Sequence, residues 1–380
     1  MEMKNKRVFL ELLKAGLWGS EPDVKVFEKD TDWDMVYQLT KEQTVVGVVT
    51  DGISALPKQY HGPRPKIMQF YARTMNLEDE NRRMNSFVPQ LMIQLERKGV
   101  HSMLLKGAGV ATCYRQPLHR VVGDIDLLVL DAEEYRKARE LMLMIAEEVE
   151  HEDVGRKHSA FQYKGLTIEV HGDFRFYINK QCRLHTPDWK RRRLAEGGRH
   201  LTEGLLKGAI LPPVQFDVLF IFAHMVGHYA GSGGVGLRQV SDWLMFLHQH
   251  IAEINLQTLE EDLDFLGLRK YWEVFGAMAV EQLGFPEGLM PLYSKKNSGK
   301  GRIVLQNIFK TGNFGAKQKQ DQLKEGANPI AKKLVTFWGQ IPVYARNLRV
   351  FPHDTLWCFK EFIASALRGY QTKEPPLAPP

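Results

Sequence analysis

Apolar residues recur at helical intervals through the first hundred positions, and no alternation there is strong enough to predict a strand. Trp33 to Gln43 reads as one helix. Asn76 to Lys98 reads as a long, polar-rich helix, kinked at Pro89 and ended by Gly99. The pattern then changes. Val100 to Leu105 is a short apolar run, followed by the small-residue turn Lys106-Gly107-Ala108-Gly109 and a short predicted helix over Val110 to Tyr114. Ile125 to Leu130 is a second apolar run. Asp131 is placed to cap a helix over Glu133 to Glu148, with Leu141, Ile145 and Val149 spaced to face a core. Leu166, Ile168 and Val170 alternate with Thr167, Glu169 and His171. This predicts a strand, separated from another at Ala160–Tyr163 by the turn Lys164-Gly165.

Helical patterning returns from Asp188. The charge run Trp189-Lys190-Arg191-Arg192-Arg193 comes first, read as a solvated loop or helix end rather than a nucleic-acid contact. Leu211-Pro212-Pro213 opens a helix to about Ala230, Gly231 to Gly234 breaks it, and Gly236 to His248 resumes. Tyr293 to Asn328 is rich in Lys, Gly, Gln and Asn, with a short apolar interlude at Ile303–Phe309, and reads as a mobile or partly ordered surface segment. The aromatics Trp338, Tyr344, Phe351, Trp357, Phe359 and Phe362 read as packed helices rather than a membrane-surface anchor. The tail Lys373–Pro380 reads as disordered. The mixture predicts an α+β fold built on a mixed β-sheet core. Its expected divisions are a helical N-terminal region (1–99), the sheet core (100–187), a larger helical C-terminal region (188–372) and the tail (373–380).

A chain of 380 residues with 44% hydrophobic and 25% charged positions is ordinary for a globular protein of two or three domains. No apolar run reaches the length of a membrane span, and Lys4, Lys6 and Arg7 precede an amphipathic stretch rather than a signal peptide. Cys113, Cys182 and Cys358 are few and scattered, which fits a cytoplasmic protein without a cysteine-based zinc site. The net charge of +6 suits polyanions but does not separate small nucleotides from nucleic acid.

The candidate chemistry gathers around the apolar runs. Asp124 and Asp126 leave one face of a strand about 7 Å apart at Cβ. Carboxylates that converge to about 4 Å repel by about 4 kcal/mol at an effective dielectric of 20. Mg²⁺, or Mn²⁺ in its place, offsets that repulsion; a solvated sheet face carrying two unrelated acids is the plainer reading. Small side chains at Gly107 and Ala108 let backbone approach phosphate oxygens, with Lys106 and Arg120 as candidate phosphate contacts. Glu169 stands on the polar face of its strand as a third acid, with Asp173 as a substitute, and three carboxylates suit a two-metal site. His224 and His228, one turn apart, either bind metal or pack against neighbouring helices. Arg238 and Asp242, also one turn apart, either reach toward a nucleotide or brace their helix.

Lys-Gly-small-small, a spacer, Arg120, then Asp124-Ile125-Asp126 inside an apolar strand resembles the DNA polymerase β-like nucleotidyltransferase superfamily. The likeness is greatest to its uncharacterised bacterial nucleotidyltransferase family, with a Lys-Gly turn, Arg-x-x-x-Asp-Ile-Asp and a later Glu-x-His strand. The resemblance implies that Gly107 and Ala108 contact a triphosphate, that Asp124 and Asp126 bind metal and that Glu169 is the third acid. It also favours Arg238 and Asp242 as nucleotide contacts. Gly107-Ala108 stands where the superfamily usually has Gly-Gly or Gly-Ser. The expected activity is Mg²⁺-dependent transfer of a nucleoside monophosphate from a triphosphate such as ATP to an acceptor, with release of pyrophosphate. The alternatives are a non-catalytic nucleotide-binding module and a toxin-like transferase acting on RNA or protein.

Overall fold

A five-stranded mixed sheet of order β1-β2-β5-β4-β3 lies among helices, the α+β arrangement the patterning predicts. The computed structural model describes residues 2–27, 31–153, 158–231, 234–312 and 341–371. Strand β1 (Met103–Leu105) runs antiparallel to β2 (Ile125–Leu128), and β2 runs parallel to β5 (Leu166–His171). Strands β3 (Glu148–Asp153), β4 (His158–Tyr163) and β5 form an antiparallel meander. Parallel pairing of β2 with β5 needs a crossover, which helix α6 (Ala132–Ile145) and the β3–β4 hairpin provide.

Asp131 caps α6 by accepting the N–H groups of Glu133 and Glu134 at 2.9 and 3.0 Å. The helix ends at Ile145, short of the expected Glu148. The Glu147 N–H turns to the Gln162 carbonyl at 2.8 Å, and the residues after it pair as β3. A strand at the sheet edge has partners on one side only and tolerates charge, which is why its composition hid it.

Two hydrophobic cores result. The first joins α1 (Glu2–Trp18), α2 (Trp33–Glu42) and α3 (Val46–Ala55) to α8 (Val214–Ala230), α9 (Leu237–His250), α10 (Leu256–Phe265) and α11 (Arg269–Leu283). Phe9, Val49, Phe222, Trp243 and Trp272 are among its fully buried members. Helices α1 and α3 cross with their backbones in contact: a Cβ at Gly52 would lie 2.0 Å from the Leu12 carbonyl, and one at Gly16 1.9 Å from that of Val48. The second core lies under the sheet, where Ile125, Leu127, Phe161, Ile168 and Val170 meet Tyr135, Ala138 and Met142 of α6.

Helix α4 (Arg64–Glu96) serves both cores. It begins well before the expected Asn76, because Pro63 and Pro65 sit where a missing N–H costs nothing. Ile67, Phe70 and Leu77 enter the first core, and Met84, Val88, Leu91, Met92 and Leu95 the second. Pro89 is buried within it. Gly99, at φ +70°, ends it, with the Val100 N–H returning to the Leu95 carbonyl at 3.0 Å.

Other expectations change. The basic run lies inside α7 (Lys180–Leu194), where Trp189 is fully buried and Arg193 grips Asp262 of α10 through both carboxylate oxygens, at 2.6 and 2.8 Å. Basic residues in a last helical turn complement the helix dipole. The stretch from Tyr293 to Gly312 is not a loose surface segment. It contains α12 (Ser298–Thr311), whose Val304, Leu305, Ile308 and Phe309 share one buried face while Arg302 and Lys310 stay outside. Residues 313–328, Trp338 and the tail lie outside the described residues. The later aromatics pack: Phe351 stacks on Tyr271 at 3.9 Å, and Tyr344 meets Phe359 and Phe362. Among the described residues no helix is long and apolar enough to cross a membrane.

Candidate functional site

The sheet pairing brings the acids together. Asp126 stands opposite Leu105 of β1 on one side and Glu169 of β5 on the other. Ile125 and Leu127 face the α6 core, which directs Asp126 to the opposite face. That face is not solvated. Asp126 is only 2% exposed, which excludes a wet sheet surface for that acid. Asp124, just before β2, is exposed.

Cations and imidazoles surround these carboxylates. Lys106 ends β1 at φ +37°, a conformation strained for a side chain with a Cβ. Its Nζ lies 3.1 Å from Asp126 Oδ1 and donates to His224 Nε2 at 3.0 Å. His171 Nε2 lies 3.0 Å from Asp126 Oδ1 and 3.2 Å from Glu169 Oε2, and His158 Nε2 also lies 3.2 Å from that Oε2. The His158 and His171 rings stack at 4.6 Å with 13° between planes.

Protonation follows from this packing. Burial opposes the Lys106 charge, but the charges of Asp126, Glu169 and Asp124 raise its ammonium above the ordinary value. Burial, then the Lys106 charge, pulls His224 well below its ordinary value, so it is a neutral imidazole accepting at Nε2. Although Asp124 reaches solvent, the protein packed around its carboxyl partly desolvates and raises it, and the charges of Asp126 and Glu169 push the same way. For Glu169 burial is outweighed: hydrogen bonds from His158 and His171 hold it well below the usual carboxylate range.

Two pockets meet at this cluster. A polar pocket of about 550 Å³ is lined by Lys106, Gly107, Asp124, Asp126, Arg238 and His224, with Arg120 and Asp242 in its wall. A more apolar pocket of about 720 Å³ opens on the other side, against Phe174, Phe176, Phe220 and Tyr177, with Arg175 among its lining. Lys106, Asp126 and His224 border both.

The predicted residues divide accordingly. Lys106, Gly107, Asp124, Asp126 and Arg238 share the polar pocket, with Glu169 adjoining Asp126 on the neighbouring strand. Ala108 sends its side chain into the core under the sheet, and α5 (Gly107–Ala111) is a single short turn. Arg120 and Asp242 are buried and bonded to each other within the wall of that pocket. Arg238 does not pair with Asp242 along α9; it reaches the Val121 carbonyl at 3.2 Å.

His158 and the Phe174–Phe220 wall were not singled out from the sequence, and His171 entered only as the end of the Glu-x-His strand, without a role. The hairpin carried a signal: counting outward from the Lys164-Gly165 turn sets His158 opposite His171 and Ala160 opposite Glu169. His224 was visible as half of a pair, but its Lys106 partner is distant in sequence.

Residues 29–284 match the model of a family described as "Uncharacterised nucleotidyltransferase". No curated protein and no solved structure matches the chain.

Proposed function

The chain belongs to the uncharacterised nucleotidyltransferase family, and on that premise we propose that it moves a nucleoside monophosphate from a Mg²⁺-bound triphosphate to a small acceptor molecule. Membership implies a nucleotide substrate. The acceptor oxygen bonds to the α-phosphorus as the bond from that phosphorus to the bridging oxygen breaks. Pyrophosphate leaves with the electron pair, and a hydroxyl acceptor releases its proton to water.

The observation that carries this reading is the wall shared by the two pockets. On this reading the triphosphate lies on the Gly107 and Arg238 side and the acceptor against Phe174 and Phe220, with Asp126 and Lys106 between them. Asp124, Asp126 and Glu169 would hold the metal. Their oxygen donors, and the repulsion from Asp126 and Glu169 that adds to desolvation in raising Asp124, suit a hard dication. When bound, Mg²⁺ supplies charge neutralisation at the phosphates. Lys106 adds a fixed positive charge where the leaving group forms. Glu169, kept anionic by two imidazoles, is a weak base and acts as an orienting carboxylate rather than a proton acceptor. The apolar second pocket favours a small acceptor over RNA.

Incubation with α-labelled triphosphates, Mg²⁺ and, separately, a metabolite fraction, RNA or protein tests this. Label on a small molecule with pyrophosphate release is expected, and both are lost in Asp126→Asn. Undiminished release by that variant overturns the reading.

A further inference from the structure

We propose that His158, Glu169 and His171 form a site for a first-row transition dication that prefers imidazole, Zn²⁺ foremost. This deepens the function proposed above by adding a second ion at Glu169, and it rests on that reading only for the ion's use in catalysis.

The argument begins with the hairpin. The two histidines are direct cross-strand partners on β4 and β5, and Glu169 lies two residues from His171 on the same face. Their ligand atoms all lie within 4.8 Å of one another. Both Nε2 atoms stand 3.2 Å from a single carboxylate oxygen. A tetrahedral ion held at about 2.1 Å from each ligand spaces neighbouring ligands roughly 3.4 Å apart. The two nitrogens and the oxygen are therefore already near the edges such an ion needs. The stacked rings hold both nitrogens toward the same point.

The donor set decides the kind of ion. Mg²⁺ takes oxygen ligands and rarely imidazole, whereas two imidazoles and one carboxylate suit Zn²⁺, with Mn²⁺ held more weakly by the same donors. The side chains of the three residues are 17–25% exposed, open enough for an ion to enter and buried enough to exclude most water. Asp126 Oδ1, 3.0 Å from His171 Nε2, is a further oxygen within reach. The three residues stand beside Asp126, and Glu169 is a donor this site would share with the one proposed for Mg²⁺.

Metal retention by the full chain tests the site without turnover. The protein is dialysed against Zn²⁺ or Mn²⁺ with excess Mg²⁺ and no nucleotide, and its metal content is measured. One equivalent of zinc is expected, with affinity lowered at least about tenfold in His158→Gln and His171→Gln and retained in Asp124→Asn. Thermal melting confirms that each variant is folded. Wild-type protein that keeps no zinc, or a folded His158→Gln that keeps as much as wild type, overturns the site. Pyrophosphate release with Mg²⁺ alone and no zinc retained would leave the transferase reading standing. Zinc retained without any release would do the reverse.

Discussion

Arg120 and Asp242, 122 positions apart, form a buried two-pronged pair: Nε donates to Oδ1 at 3.0 Å and the terminal nitrogen to Oδ2 at 2.6 Å. Tyr114 adds its hydroxyl to Oδ1 at 2.7 Å. The pair clamps the loop before β2 onto α9. Removing the carboxylate strands a guanidinium that is only 5% exposed. Asp242→Ala is therefore expected to lose about 3–5 kcal/mol of stability, and Asp242→Asn less, in urea unfolding. An unchanged midpoint would show that the pair does not hold the loop.

Arg238 lines the polar pocket beside Asp124, together with Lys106, while the Arg120 guanidinium is committed to Asp242. A charge-assisted hydrogen bond contributes about 1.5–3 kcal/mol. Arg238→Met should weaken binding of a non-hydrolysable triphosphate roughly ten- to a hundredfold by calorimetry. Unaltered affinity would assign Arg238 to bracing the Val121 carbonyl alone.

Gly52 leaves no room for a methyl group, since the Leu12 backbone stands in its place. Gly52→Ala must push α1 off α3, an overpacking cost of about 1–3 kcal/mol. The cleft residues lie elsewhere, so nucleotide affinity should hold while the melting temperature falls. A variant as stable as the parent would mean that the crossing is looser than the contact implies.

Asp217, in the first turn of α8, accepts from Arg199 at 2.8 Å, yet burial raises its carboxyl to about 7 from an ordinary 3.8. The folded protein therefore holds a proton between about pH 4 and about 7 that the unfolded chain has lost. This contribution is complete below the ordinary value and disappears as pH rises through the folded one. The stability of the parent relative to Asp217→Asn should decline across that window and level off above it, read from denaturant midpoints. A difference independent of pH would remove the carboxyl from the account.

Local pattern made part of this molecule readable. The alternation of Leu166 to His171, the cap at Asp131 and the Lys106-to-Asp126 sequence each depend on neighbours in the chain, and each stands in the structure as an element or a turn. What pattern could not supply were pairings across long loops. Arg120 looked like a phosphate contact because its partner Asp242 comes from another helix. His224 looked like half of a metal pair because Lys106 lies 118 positions away. Strand β3 was hidden by its acidic composition and helix α12 by charge on its outer face, although the buried face of α12 follows an ordinary helical spacing.

Helix α4 carries one more consequence. A rod of 33 residues, about 50 Å long, that lends one end to each core couples their melting into a single cooperative event. Cutting the chain at residue 99 would strip Met84 to Leu95 from beneath the sheet and leave its underside wet. Any opening that admits substrate must therefore arise from the loops around the acids, because this shared axle denies the two halves a hinge.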